Sequence, residues 1–335
     1  MTEVSVPYAV SPEWERATAA VDAASSILLV THVSPDGDAI GSLLGLANAL
    51  RQRGCKVAQV AVDGGVPDYL SFLPGADTVR SAVAGQYDLM ISLDSSDEER
   101  SGAAGVQGRA SSKLVMNIDH HVTNTGFGSI HLVMPTAVST TEIVQRWLHA
   151  MGQALTPEIA TPLLTGLVTD TIGFRTSNVT GATLTLAQQL MDAGAPLNVI
   201  MQRTVSSKKF AVMKLWSAVL PAMELDNGII TATVTQADIK QAGLPEVTDG
   251  GLVEFLATAN EAQISVVFKE KEDGRVEVGF RCKPGYDVSV VAFSLGGGGH
   301  KQASGATIDG PLEAARARVL PLVRQAYVVG APAIP

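Results

Sequence analysis

The chain has 335 residues, 46% hydrophobic and 17% charged, a composition that suits a globular protein with room for two domains. Its net charge of -9 argues against long duplex nucleic acid as a partner, while small anionic substrates fit if metals or local cations hold them. Cys55 and Cys282 are the only cysteines, far apart and without metal-type spacing, which argues against a disulfide framework and fits a reducing cytoplasm.

Residues 1–11 show no pattern and read as a loose lead-in without a secretion signal. The apolar run that starts at Ser26 is far too short to span a membrane, so a cytoplasmic protein without a membrane partner is expected. Residues 13–24 look helical. Ile27-Leu28-Leu29-Val30 reads as a buried strand, and it ends in the loop Thr31-His32-Val33-Ser34-Pro35-Asp36-Gly37-Asp38. Helical apolar spacing follows over 39–53 through Ile40, Leu43, Leu44, Leu46, Ala47 and Leu50, and Gly54 closes it. Residues 56–62 read as the next strand. Residues 87–93 form another that exits into Asp94, and 114–118 exits into Asp119-His120-His121. Residues 158–171 read as a helix ending in Thr169-Asp170. Strands alternating with helices predict an α/β domain whose mainly parallel sheet is flanked by helices.

A helix over 183–193 is closed by Gly194, and a polar stretch around Ser206 to Lys209 marks the connection between domains. The expected boundaries are 1–195 for the first domain, 196–212 for a linker and 213–335 for a smaller C-terminal α/β domain. That domain turns β-rich from Gly228. Residues 263–268 and 275–281 flank Lys271-Glu272-Asp273-Gly274 as a hairpin. A helix over 288–295 runs into Gly296-Gly297-Gly298-Gly299-His300, and 311–326 reads as a closing amphipathic helix.

Three strand exits therefore carry His32, Asp94 and Asp119-His120-His121, and a helix end adds Asp170. In an open parallel sheet, ligands bind at the carboxyl ends of strands. The competing reading makes Asp36 and Asp38 turn residues and Asp94 a helix cap. Taken as a set, mixed carboxylates and imidazoles point to a two-metal site, and the absence of cysteine favours manganese or magnesium over structural zinc.

These motifs resemble those of the DHH phosphoesterase family. His32 to Ala39 resembles its first motif, Leu93-Asp94-Ser95-Ser96-Asp97 its second, Asp119-His120-His121 its third and Thr169-Asp170 its fourth. The resemblance implies that His32, Asp36 and Asp94 hold one manganese ion and that Asp38, Asp94, His120 and Asp170 hold the other, with magnesium or cobalt as substitutes. It also implies that His121 faces the substrate phosphate and that Asp119 orients the histidines; Arg175, in a segment near the substrate in that family, is either a phosphate contact or a surface arginine. The four glycines and His300, with Arg281 upstream, resemble the nucleotide-binding motif of the DHH-associated C-terminal domain. Gly297, Gly298, Gly299, His300 and Arg281 are thus implied to hold the nucleotide end, with the active site in the cleft between the domains. The chain as a whole is similar to the nanoRNase and pAp-phosphatase type. That similarity implies a manganese-dependent hydrolase of short RNAs, of 3′-phosphoadenosine 5′-phosphate (pAp), and of cyclic or linear di-adenylate, acting as a homodimer. Two alternatives stand beside it: an inorganic pyrophosphatase or exopolyphosphatase, and a nucleotide-binding sensor without catalysis.

Overall fold

Ile27, Leu28, Leu29 and Val30 are all buried in β1 (Ile27–Thr31), because both faces of this strand are covered. The structure, a computed structural model, describes residues 12–330, so the lead-in expected over 1–11 lies outside it. The chain divides into two units, Met1–Ser207 and Lys208–Pro335. The division falls inside the stretch 196–212 that sequence reading assigns to a linker.

In the first unit α1 (Pro12–Ala23) precedes β1, and α2 (Gly37–Gln52), β2 (Val57–Ala61), β3 (Tyr87–Leu93), α3 (Gly102–Ala110), β4 (Ser112–Asp119) and β5 (Ile130–Val133) follow. Then come α4 (Thr140–Ala150), α5 (Pro157–Asp170), α6 (Gly181–Asp192) and α7 (Leu197–Arg203). The sheet order is β2-β1-β3-β4-β5, and each of its pairings is parallel. Ile27 and Leu29 pack into one core with α1, α2, α4 and α5. Leu28 and Val30 point the other way, into a smaller core with Met90 and Ala104 of α3. Parallel pairing sends the carboxyl ends of β1, β3 and β4 to the same edge. The strand order reverses between β1 and β3, which is where such sheets open a ligand crevice.

One packing feature places two of the acids. Gly37, Gly41 and Gly45 line the side of α2 that faces α5. A Cβ on Gly41 would stand 2.5 Å from the Pro162 carbonyl oxygen, and one on Gly37 would stand 2.3 Å from Thr169 Oγ1. Only bare backbone fits here. The two helices therefore lie in close antiparallel contact, with the start of α2 (Asp38) beside the end of α5 (Asp170).

Helix α7 occupies part of the expected linker, and its Ile200 is buried in the first unit's core. The second unit comprises α8 (Phe210–Val219), β6 (Glu224–Asp226), β7 (Ile229–Val234), α9 (Gln236–Ala242), α10 (Leu252–Leu256), β8 (Ile264–Glu270) and β9 (Val276–Cys282). It continues with α11 (Ser289–Ser294), β10 (Gly298–His300), β11 (Ala303–Ile308) and α12 (Leu312–Val329). Its sheet order is β10-β11-β9-β8-β7-β6, with β7 and β8 parallel and the other neighbours antiparallel. Ile264, Val266 and Phe268 of β8 face a core shared with α11 and α12, whereas Val267 faces α8, α9 and α10. Among the described residues no helix is long and apolar enough to cross a membrane.

Candidate metal centre

The ligand-type residues reach the sheet edge by different routes. His32 follows β1 directly. Asp94 follows β3 at φ 56°, a left-handed conformation that aspartate tolerates better than most residues, and it is 2% exposed. Asp119 ends β4, fully buried, and His120 and His121 follow it. Asp36 caps α2, its Oδ1 accepting the N–H groups of Asp38 and Ala39 at 3.0 Å. The turn role weighed for Asp36 takes the form of a helix cap. It occupies one carboxylate oxygen, and the residue still stands beside His32 and Asp94.

Three groups of side chains converge: His32, Asp36 and Asp94; Asp38, His120 and Asp170; and Asp94, His120 and His121. Within each group the ligand atoms lie within 4.8 Å of one another. Asp94 and His120 each belong to two groups. The recorded ion-pair partners of Asp38, Asp94 and Asp170 are histidines: His32 Nε2 lies 3.5 Å from Asp94, and His120 Nε2 lies 3.4 Å from Asp170, 3.7 Å from Asp94 and 3.9 Å from Asp38. Burying carboxylates this close is unfavourable unless cations join them.

Histidine geometry fits the same conclusion. His32 Nδ1 lies 2.8 Å from the Val33 carbonyl and His120 Nδ1 lies 3.3 Å from the Ala137 carbonyl. A carbonyl can only accept, so Nδ1 carries a proton and Nε2 faces the carboxylates, where it can give its lone pair to a metal ion once it has lost its own proton. His121 Nδ1 sits 2.7 Å from Asp119 Oδ1, and Asn124 Nδ2 donates to Asp119 Oδ2 at 2.6 Å. Asp119 thus lies behind His121 and orients its ring. These donors suit a hard or borderline divalent ion.

The electrostatics follow from crowding. Burial pushes Asp38 up to about 7, and repulsion from Asp94 adds to it. Burial and the neighbouring Asp38 and Asp94 carry Asp170 well above the usual carboxylate range. Burial would raise Asp94 too, but His32, His120 and His121 outweigh it and hold Asp94 down at about 2. Burial alone would lower His32 and His120, yet the adjacent carboxylates win and both rise; His121 rises chiefly through its bond to Asp119.

These directions fix a sign. Groups with raised values are protonated more readily in the folded chain than in the unfolded one. The metal-free fold therefore loses stability as pH climbs from the ordinary carboxylate range through about 7, and the histidines extend the loss above 6.5. Asp94, held low, is ionised throughout and contributes no change between pH 6 and 8. A bound cation reverses the penalty and must displace those protons. Manganese should therefore raise the melting temperature more at pH 8 than at pH 6. Thermal melts of chelator-treated protein at both pH values, with and without manganese, check this; an equal shift at both would contradict it.

The structure also shows what sequence reading passed over. The start of α4 packs directly on the cluster: the backbone N–H groups of Thr140 and Thr141 donate to the two oxygens of Asp38 at 2.6 and 3.0 Å, and Thr140 Oγ1 donates to Asp94 Oδ1 at 2.8 Å. Helix α4 had a legible start. Ser139 accepts from the Glu142 N–H, Glu142 accepts from the Val138 N–H, and Ile143, Val144, Trp147 and Leu148 give helical spacing. Asp97, beside Asp94 in the second motif, instead takes the Arg100 N–H in a local turn.

Arg175 is not among the grouped ligand residues, and Arg281, Gly297, Gly298, Gly299 and His300 belong to the second unit. Arg175 is exposed, and its Nε donates to the Ile172 carbonyl at 2.7 Å. In the second unit Arg281 pairs with Glu254. It lines a cavity of about 490 Å³ that also includes Lys269, Gly297 and Ser304. The glycine run is only partly a loop: Gly298, Gly299 and His300 form the exposed edge strand β10, paired antiparallel with Gly305, Ser304 and Ala303. A Cβ on Gly297 would stand 2.1 Å from the Gly305 carbonyl oxygen, so close strand approach accounts for that glycine.

Comparison with known proteins places both halves. Residues 26–167 match the DHH family, N-terminal domain, and residues 226–327 match the DHHA1 domain. The chain is 36% identical over 306 residues to a bifunctional oligoribonuclease and PAP phosphatase NrnA of Thermus thermophilus, covering 89% of each chain. It is 30% identical over 287 residues to the protein of the same name from Bacillus subtilis, covering 84% of this chain and 89% of that one. Among solved structures, an exopolyphosphatase-related protein from Bacteroides fragilis shares the fold with a TM-score of 0.86 at 24% identity, over 98% of both chains.

Proposed function

The chain belongs to the DHH family of phosphoester hydrolases, and from that premise we propose that it hydrolyses short oligoribonucleotides, pAp and di-adenylate with two manganese ions. The observation that carries this reading is the convergence of His32, Asp36, Asp38, Asp94, His120 and Asp170 on one sheet edge. Both halves of the chain are matched in relatives named for the first two activities.

His32, Asp36 and Asp94 would hold one ion, and Asp38, Asp94, His120 and Asp170 the other. Bound ions of this kind neutralise phosphoryl oxygens and acidify a water nucleophile. The protein's own residues do the rest. His121, with Nδ1 tied to Asp119, presents Nε2 as a donor to the phosphoryl group and stabilises the charge that builds there. Asp119 and Asn124 keep that ring in place. Chemistry would reside in residues 1–195 and nucleotide recognition in residues 213–335. There Arg281, the backbone of Gly297, Gly298 and Gly299, and His300 would hold the nucleotide; Arg281 would exchange Glu254 for the ligand. Arg175 would add a phosphate contact.

Initial rates on pAp, a dinucleotide RNA, linear di-adenylate, pyrophosphate and a phosphomonoester without a base test the reading. The nucleotides should be turned over far faster than pyrophosphate. Arg281→Ala and His300→Ala should each lose kcat/KM on nucleotides by roughly 1.5–3 kcal/mol, the scale of a lost charged hydrogen bond, with little change on the base-free ester. Pyrophosphate as the preferred substrate would point to a pyrophosphatase, and tight nucleotide binding without turnover would point to a sensor. If the two variants lose both substrate types in proportion, the recognition role is wrong.

A further inference from the structure

Two buried carboxylates of the cluster depend on one residue that is itself no ligand. Thr140 is fully buried, and Asp38 and Asp94 are 1% and 2% exposed. The Thr140 N–H reaches Asp38 Oδ2 at 2.6 Å while its hydroxyl reaches Asp94 Oδ1 at 2.8 Å. The two oxygens of Asp94 have different neighbours: Oδ2 faces His32 Nε2 at 3.5 Å, and Oδ1 faces His120 Nε2 at 3.7 Å. A carboxylate that serves two groups of ligands is useful only if its plane is held. Rotation about its last torsion is soft, because that torsion joins sp³ and sp² carbons. The recorded donor that holds Oδ1 is Thr140.

The surroundings leave little freedom. Thr141 N–H takes the second oxygen of Asp38, and a Cβ on Gly166 of α5 would stand 2.7 Å from Asp38 Oδ1 and 2.4 Å from Thr141 Cγ2. Helix α5 thus closes over the Asp38 carboxylate from the other side. The first turn of α4 also brings neutral donors and the positive end of the helix dipole, so it stabilises two adjacent anions without a competing cation such as lysine.

We propose that Thr140 is a positioning residue of the metal centre: its hydroxyl fixes the Asp94 carboxylate so that one oxygen serves the His32 side and the other the His120 side, while its backbone N–H holds Asp38 in the second group. This rests on the two-ion reading given above. The backbone contact survives any substitution, so the hydroxyl is the testable part. Thr140→Val keeps the side chain's shape and removes only the donor. Thr140→Ser keeps the donor and removes a methyl group.

The test is calorimetric titration of manganese into the metal-stripped full chain, with thermal melts of the same metal-free samples. Wild type should take up two ions. Thr140→Val should bind them about 10–100-fold more weakly, the range for losing a group that orients metal ligands, and Thr140→Ser should restore wild-type affinity. Wild-type affinity in Thr140→Val would overturn the proposal. So would equal impairment of the valine and serine variants, which would make Thr140 a packing residue. Failure of wild type to bind manganese at all would instead remove the two-ion reading and this proposal with it.

Discussion

Replacing Asp94 with alanine is expected to lower kcat/KM by at least about a thousandfold, the upper scale for losing one preorganised electrostatic contact at a reacting centre, while the fold survives. Asp94 is the carboxylate that two of the three ligand groups share, and it is the hydrogen-bonding partner of Thr140. On the proposed two-ion reading, its loss would remove a ligand from both ions at once. Stability should suffer little in the metal-free state. Deleting one of several crowded anions relieves Asp38 and Asp170, whose raised values reflect repulsion from Asp94 as well as burial. Against this, alanine at φ 56° costs about 1–2 kcal/mol. Asp94→Asn separates the effects, because asparagine accepts the left-handed backbone and keeps the shape while losing the charge. Both variants should be inactive, with the asparagine variant the more stable. Near-normal hydrolysis by purified Asp94→Ala at saturating manganese would end the two-metal account.

Stripping divalent metal should abolish turnover altogether, and manganese should restore it better than calcium. The reason lies in the donor set. His32 and His120 offer imidazole nitrogens, and the carboxylates around them stand at short separations, Asp38 and Asp94 buried, Asp170 half-buried and Asp36 exposed. Calcium prefers six to eight oxygens at longer distances, which this arrangement of nitrogen and oxygen donors does not supply. Magnesium and cobalt should support intermediate rates. The measurement is activity after dialysis against excess chelator, followed by add-back of each ion. Full activity in the presence of chelator would contradict the expectation.

Much of the first unit was legible because strand exits are local. A run such as Ile27 to Val30 is apolar at every position because both its faces are covered, and the residue that ends it sits at the sheet edge whatever the rest of the chain does. The same logic exposed Asp94 after β3 and Asp119-His120-His121 after β4, and the motif order made the family recognisable. The start of α4 was legible too, through Ser139, Glu142 and the apolar spacing after them, but it went unread beside the louder acidic motifs.

Other features had no local signature. Gly37, Gly41 and Gly45 acquire a purpose only once α5 lies against them and the start of α2 meets Asp170. Thr140 contacts Asp38 across 102 positions of sequence and Asp94 across 46. Gly298 to His300 carry no strand pattern of their own, and β11 supplies the partner that makes them a strand; Arg281 gave no hint of Glu254. Sequence by itself determined the chemical inventory and which strand end carries each member, because those depend on neighbours along the chain. Tertiary structure alone decided which carboxylate shares which histidine and what holds each in place, because hydrogen bonds of that kind depend on strand order and helix approach, which no local pattern encodes.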